Sequence, residues 1–119
     1  MGAFLRIVAI LFGIAFIAAG VMGFLPAYVT DGKLLGIFEI DKMHNIVHIA
    51  SGVIAILAAT RAGLAKVYFQ LFGIIYLIVA IIGFWHAGDI FGIMHVNKAD
   101  NYLHLGIGIV ALFLGFIFG

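Results

Sequence analysis

RIVAILFGIAFIAAGVMGF, residues Arg6 to Phe24, runs for nineteen residues with a single charge, and it returns sixty positions later as KVYFQLFGIIYLIVAIIGF, Lys66 to Phe84. Six of the nineteen positions are identical, including all of Leu11-Phe12-Gly13-Ile14 against Leu71-Phe72-Gly73-Ile74. A helix rises about 1.5 Å per residue, so a segment of this length reaches across a hydrocarbon core of about 30 Å. The opening stretch is therefore read as a membrane span that occurs twice.

Two more apolar runs complete the pattern. The four are Phe4 to Leu25, about Met43 to Thr60, Leu64 to Trp85 and about Asn101 to Phe118. With 66% hydrophobic and 9% charged residues, the chain has too little polar surface for a water-soluble domain. The first run is long for the core of a cleaved leader and has a close copy later, so it is read as a span. The absence of cysteine excludes disulfides, thiolate metal sites and covalently attached c-type haem.

A second repeated phrase uses rarer letters. DKMHNIVHIASG, Asp41 to Gly52, matches NKADNYLHLGIG, Asn97 to Gly108, at an offset of 56: Lys42 with Lys98, Asn45 with Asn101, His48 with His104, Gly52 with Gly108. The change of offset falls in an outer loop, where insertions are cheapest. The expected fold is all-α, an integral membrane four-helix bundle of two tandem helical-hairpin repeats. Repeat 1 covers residues 1–60 with an outer loop at about 26–42, and repeat 2 covers 61–119 with an outer loop at about 86–100. Two crossings per unit give both copies the same orientation, with a pseudo-two-fold axis along the membrane normal.

Charge sets the orientation. Arg6, Arg61 and Lys66 fall at one end, so by the positive-inside bias both termini are expected in the cytoplasm. All five histidines and all five acidic residues then fall on the opposite side. Small residues at helical spacing, Ala15, Ala19 and Gly23 on the first helix and Ser51, Ala55 and Ala59 on the second, predict close helix packing. The greasy loops LLGIFEI, Leu34 to Ile40, and IFGIMHV, Ile90 to Val96, predict short interfacial segments over the mouth of the bundle.

Within the polar phrase, Asp41 and Asn97 are N-cap residues, and Asp100 stands where a reciprocal capping partner belongs. His48 and His104 lie seven residues further, about 10 Å into the membrane, where a polar side chain faces the bundle and needs a partner. His44, His48 and Gly52 share one helical face, as do Asp100, His104 and Gly108, each glycine leaving room below its histidine. Three readings follow. His44, His48, Asp100 and His104 could hold a zinc-type metal; His48 and His104 could be axial ligands of a b-type haem; or they could bond Asn101 and Asn45 in a structural clasp.

Read as HNIVHIASG and DNYLHLGIG, with GIFEIDKMHN and GIMHVNKADN ahead of them, the motif resembles a family of small bacterial four-helix membrane proteins known only as a domain of unknown function. The resemblance covers nearly the whole chain. It implies a four-helix membrane fold in the bacterial inner membrane and, at Asn45, His48, Asn101 and His104, the matched motif positions. It implies no activity.

The lower two-thirds of all four helices is apolar, against a transporter or channel, and the chain carries no phosphate loop, nucleophile elbow or HExxH. A non-enzymatic role is expected. The leading expectation is an accessory subunit of a larger bacterial membrane complex, with lipid and other membrane subunits as partners and no nucleic acid. The alternative is a stand-alone protein that binds a transition metal or haem.

Overall fold

The computed structural model describes residues 2–118. Four helices carry the chain: α1 (Gly2–Met22), α2 (Lys42–Ala58), α3 (Ala62–Trp85) and α4 (Lys98–Phe113), the last continued by a wider π-type turn, Leu114–Phe118. Three of these, α1, α3 and α4 with its extension, are long and apolar enough to cross a membrane; α2, at 17 residues, is shorter. The chain is thus a helical membrane protein. The long helices bury only about a third of their apolar spans against the rest of the chain, which leaves the outer faces to lipid.

α1 packs along α2 and α3 along α4, and α3 joins the two pairs through contacts with α1 and α2. Glycine sets the closeness of each pair. A Cβ on Gly52 would stand 2.6 Å from the Gly13 carbonyl oxygen, and one on Gly108 would stand 3.1 Å from that of Gly73. In lipid, where contact between helices replaces the expulsion of water, such backbone approach is a main source of attraction. Gly52 and Gly108 are therefore filled by α1 and α3, and the expected space below the histidines is taken.

The small-residue stripe on α1 also differs from expectation. Its buried face runs through Leu5, Ala9, Gly13, Phe16 and Gly20, while Ala15 is exposed and Ala19 half-buried. The stripe expected on α2, Ser51, Ala55 and Ala59, is buried. The difference is rotational: an apolar helix gives no amphipathic contrast to say which face is inward, and Gly13 and Gly20 allow the closer approach.

At the end of the bundle where α1 begins and α2 ends, Leu5, Ala9, Ala55, Ala65, Phe69 and Ala111 belong to one packed core. There Arg6 Nε donates to the Ala59 carbonyl at 2.7 Å, holding the start of α1 to the end of α2. Gln70 Nε2 donates to the Gly115 carbonyl at 3.0 Å, satisfying a backbone group near the π-type turn.

The loops joining α1 to α2 and α3 to α4 fold as small antiparallel hairpins. In the first, β1 (Val29–Thr30), β2 (Lys33–Leu34) and β3 (Phe38–Glu39) form a three-stranded sheet; in the second, β4 (Asp89–Ile90) pairs with β5 (Met94–His95). The β2–β3 register is Lys33 to Glu39 and Leu34 to Phe38, and the β4–β5 register is Asp89 to His95 and Ile90 to Met94. Each turns on two residues of positive φ, Leu35-Gly36 and Phe91-Gly92. Glycine takes that conformation freely, whereas Leu35 and Phe91 take it at a steric cost. Strands of two residues are too short to show alternation in sequence, so composition alone reads them as interfacial loop.

Adding a methyl where the helices touch should force them apart. Gly52→Ala and Gly108→Ala are expected to destabilise by about 1–3 kcal/mol, whereas Gly106→Ala, with nothing near its Cβ position, should stabilise by roughly 0.5–1 kcal/mol. Thermal unfolding in detergent measures both. Equal shifts for Gly52 and Gly106 would refute the close-contact account.

Candidate metal centre

α2 begins where the Asp41 side chain caps it, with the His44 amide donating to Oδ1 at 2.8 Å. α4 begins with a full capping box: the Asp100 amide donates to Asn97 Oδ1 and the Asn97 amide to Asp100 Oδ2, both at 2.9 Å. In an apolar medium the orphan amides of a helix start have few other partners. The caps also reach across the bundle. The His95 amide donates to Asp41 Oδ2 at 2.9 Å, and Asn97 Nδ2 donates to the Ile37 carbonyl at 2.9 Å, so the hairpin from each half is fastened to the helix start of the other.

Within the first two turns of α2 and α4 the caps deliver three imidazoles to a single point. His44, His48 and His104 are 0%, 7% and 1% exposed. Their ring centroids stand 4.4 Å apart for His44 and His48, 5.4 Å for His44 and His104, and 5.9 Å for His48 and His104. One nitrogen from each lies within 4.8 Å of the others. Tetrahedral metal–nitrogen bonds of about 2.1 Å place nitrogens about 3.4 Å apart, so modest ring rotation closes the set on an ion.

Both nitrogens of His44, both of His104 and Nδ1 of His48 are buried without a hydrogen bond among the described residues. A buried polar group without a partner costs about 1–3 kcal/mol, and five in one place point to something they bind. Beside the three rings lies a cavity of about 90 Å³, to which Ser51, Tyr76 and Met94 also contribute. The Ser51 and Tyr76 hydroxyls are 2.9 Å apart, and Tyr68 Oη donates to the Ser51 carbonyl at 3.1 Å. A three-histidine centre would thus have an open fourth side facing hydroxyls.

Asp100, expected as the fourth ligand, is held in the capping box, and among the described residues the clustered potential ligands are the three histidines. Asp100 and His104 are both buried, but the cap keeps the carboxylate at the helix start. A b-type haem does not fit. A macrocycle between His48 and His104 would have to pass through His44, and the adjoining cavity is far smaller than a porphyrin.

No hydrogen bond of the expected clasp joins His48 to Asn101 or His104 to Asn45 among the described residues. Each asparagine packs within its own half: a Cβ on Gly23 would meet the Asn45 carboxamide, and one on Gly83 that of Asn101. His86 and His95 are exposed, with His95 Nδ1 at 3.7 Å from Asp89 Oδ1. Sequence reading places Ser51 only in the packing stripe of the second helix and gives Tyr76 no role. Their signal was present, since these positions are polar where the matching ones, Ile107 and Phe16, are apolar.

The fold and the buried histidine cluster together define a helical membrane protein with a potential ligand centre near one end. Residues 6–117 match the family described as Domain of unknown function (DUF4383), and the chain belongs to that family. No curated protein and no solved structure matches it.

Asp41 serves two amides with two oxygens. Asp41→Ser keeps an acceptor for the His44 amide but loses the one for His95, and should cost about 0.5–1.5 kcal/mol of stability. Asp41→Ala loses both and should cost more, by a further 0.5–2 kcal/mol or about that. Chemical or thermal unfolding in detergent checks the order; indistinguishable Ser and wild-type proteins would remove the cross-bundle tie.

Proposed function

We propose that this chain is an integral membrane protein of the bacterial inner membrane that holds one transition-metal ion of zinc type on His44, His48 and His104. The observation that carries the reading is the convergence of three buried imidazoles, five of whose six nitrogens are sealed from solvent without a hydrogen bond among the described residues. Imidazole suits zinc, copper, iron and nickel, and three such ligands leave a position for water or a small molecule. Ser51 and Tyr76 stand ready to orient whatever occupies it.

The proposed architecture is two copies of one helical hairpin. Support comes from the offset of 56 that relates the two hairpin registers, the two positive-φ turns and the two helix caps. The proposed topology has both termini in the cytoplasm and the metal centre at the outer face. Its support is the gathering of Arg6, Arg61 and Lys66 at the end opposite the caps, with Arg6 bonded to Ala59.

The accessory-subunit expectation rests on the apolar outer faces of the helices, and a bilayer covers those equally well. The histidine centre is the more specific feature, so metal binding takes precedence.

The protein, purified through a tag without histidine, should carry close to one equivalent of transition metal by elemental analysis, or take it up after chelation. Metal at about one hundred times its Kd should add about 2.7 kcal/mol to stability. His48→Phe with His104→Phe should abolish both effects while leaving membrane insertion intact. Wild-type protein that neither carries nor takes up zinc, copper or cobalt would overturn the proposal.

A further inference from the structure

The cavity beside the histidines has a counterpart on the opposite side of the bundle. Phe72, Ile75, Tyr76 and Val79 of α3 line the first, together with Val47 and Ser51 of α2 and His104. At the sequence offsets already noted these residues correspond to Phe12, Ala15, Phe16, Ala19, Leu103, Ile107 and His48, and those line a second cleft between α1 and α4. The two differ in size: about 90 Å³ on the α3 side against about 400 Å³ on the α1 side. The substitutions explain it, since Ala15 and Ala19 stand where Ile75 and Val79 fill the smaller cleft.

We infer that the cleft between α1 and α4 is a binding site for an uncharged, membrane-soluble carbonyl compound of the quinone class, entering sideways from the lipid with its ring directed at His48. Its volume falls within the roughly 300–1,000 Å³ typical of small-molecule sites. No charged residue lines it, so an acidic or phosphate headgroup would enter without a counter-ion. Its one polar side chain is His48, nine-tenths buried and with no side-chain hydrogen bond among the described residues, so a second ring nitrogen remains beside the Nδ1 counted in the cluster. A neutral imidazole offers one N–H donor, and a ring carbonyl accepts it. Phe12 and Phe16 add aromatic faces that suit a flat ring.

The site does not depend on the metal, although His48 borders both cavities. An imidazole that gives one nitrogen to an ion keeps the other for a hydrogen bond, so ion and ligand are compatible.

The test uses the full chain in detergent, titrated calorimetrically with a decyl-tailed benzoquinone, before and after chelation. One equivalent should bind in both states. Binding to chelated protein that carried no metal at the outset would uphold this inference while the metal reading failed. Ala15→Ile with Ala19→Val should weaken binding at least tenfold, and Ile75→Ala with Val79→Ala should add a second equivalent. The second pair only removes methylenes, so it keeps the test open if the first pair does not fold. Absence of binding to the wild type, or unchanged affinity in the filled variant, would overturn the inference. So would a phospholipid retained by the wild type and lost from that variant in native mass spectrometry, and so would a stoichiometry that stays at one in the opened variant.

Discussion

The backbones of α1 and α2 meet at Gly13 and Gly52, and those of α3 and α4 at Gly73 and Gly108, and the remaining structure follows from those two contacts. In lipid no hydrophobic force drives helices together, so attraction depends on how closely main chains approach. Once each pair is fixed, the faces of α2 and α4 that carry the polar residues have one another as neighbours. Polar side chains at that depth avoid lipid, and the two helices present them to a common interior.

The hairpins at the capped end of the bundle solve a different difficulty. A helix start near the membrane needs acceptors for its first amides, and a short loop above it has unpaired peptide groups of its own. Here one set of side chains meets both needs. Asp41 serves α2 and the second hairpin, and Asn97 serves α4 and the first. The two halves are thereby tied at the end where the imidazoles lie, which holds a cluster of unsatisfied nitrogens in place. Such a cluster is costly in an empty interior, and its cost is the physical ground for assigning it a ligand.

Where the halves of the chain agree, the residues build the scaffold; where they differ, chemistry is concentrated. His44 stands opposite Asp100 in the alignment, and this difference yields a third imidazole on one side and a stronger cap on the other. Ser51 and Tyr76 put hydroxyls where Ile107 and Phe16 are apolar, and Ala15 and Ala19 leave room where Ile75 and Val79 fill it. The departures from the internal match are therefore better guides to function than the match.

By itself the sequence determined the number of helices, three of their spans by length and composition, the caps at Asp41 and Asn97, and the distance of His48 and His104 along their helices from those caps. These are properties of local composition and spacing: apolar length, a capping residue, a rise per residue. The tertiary structure decided the rest. Which face of α1 is buried depended on where glycine permits contact, and a helix apolar all round does not encode that in its pattern. Asp100 lay on the inward line by spacing, yet its hydrogen bond to the Asn97 amide holds it at the cap, and it is His44 that stands beside His48 and His104. The fit of a metal ion, and the misfit of a haem, turn on ring separations of a few ångströms between helices far apart in sequence, and only the packed bundle sets such distances.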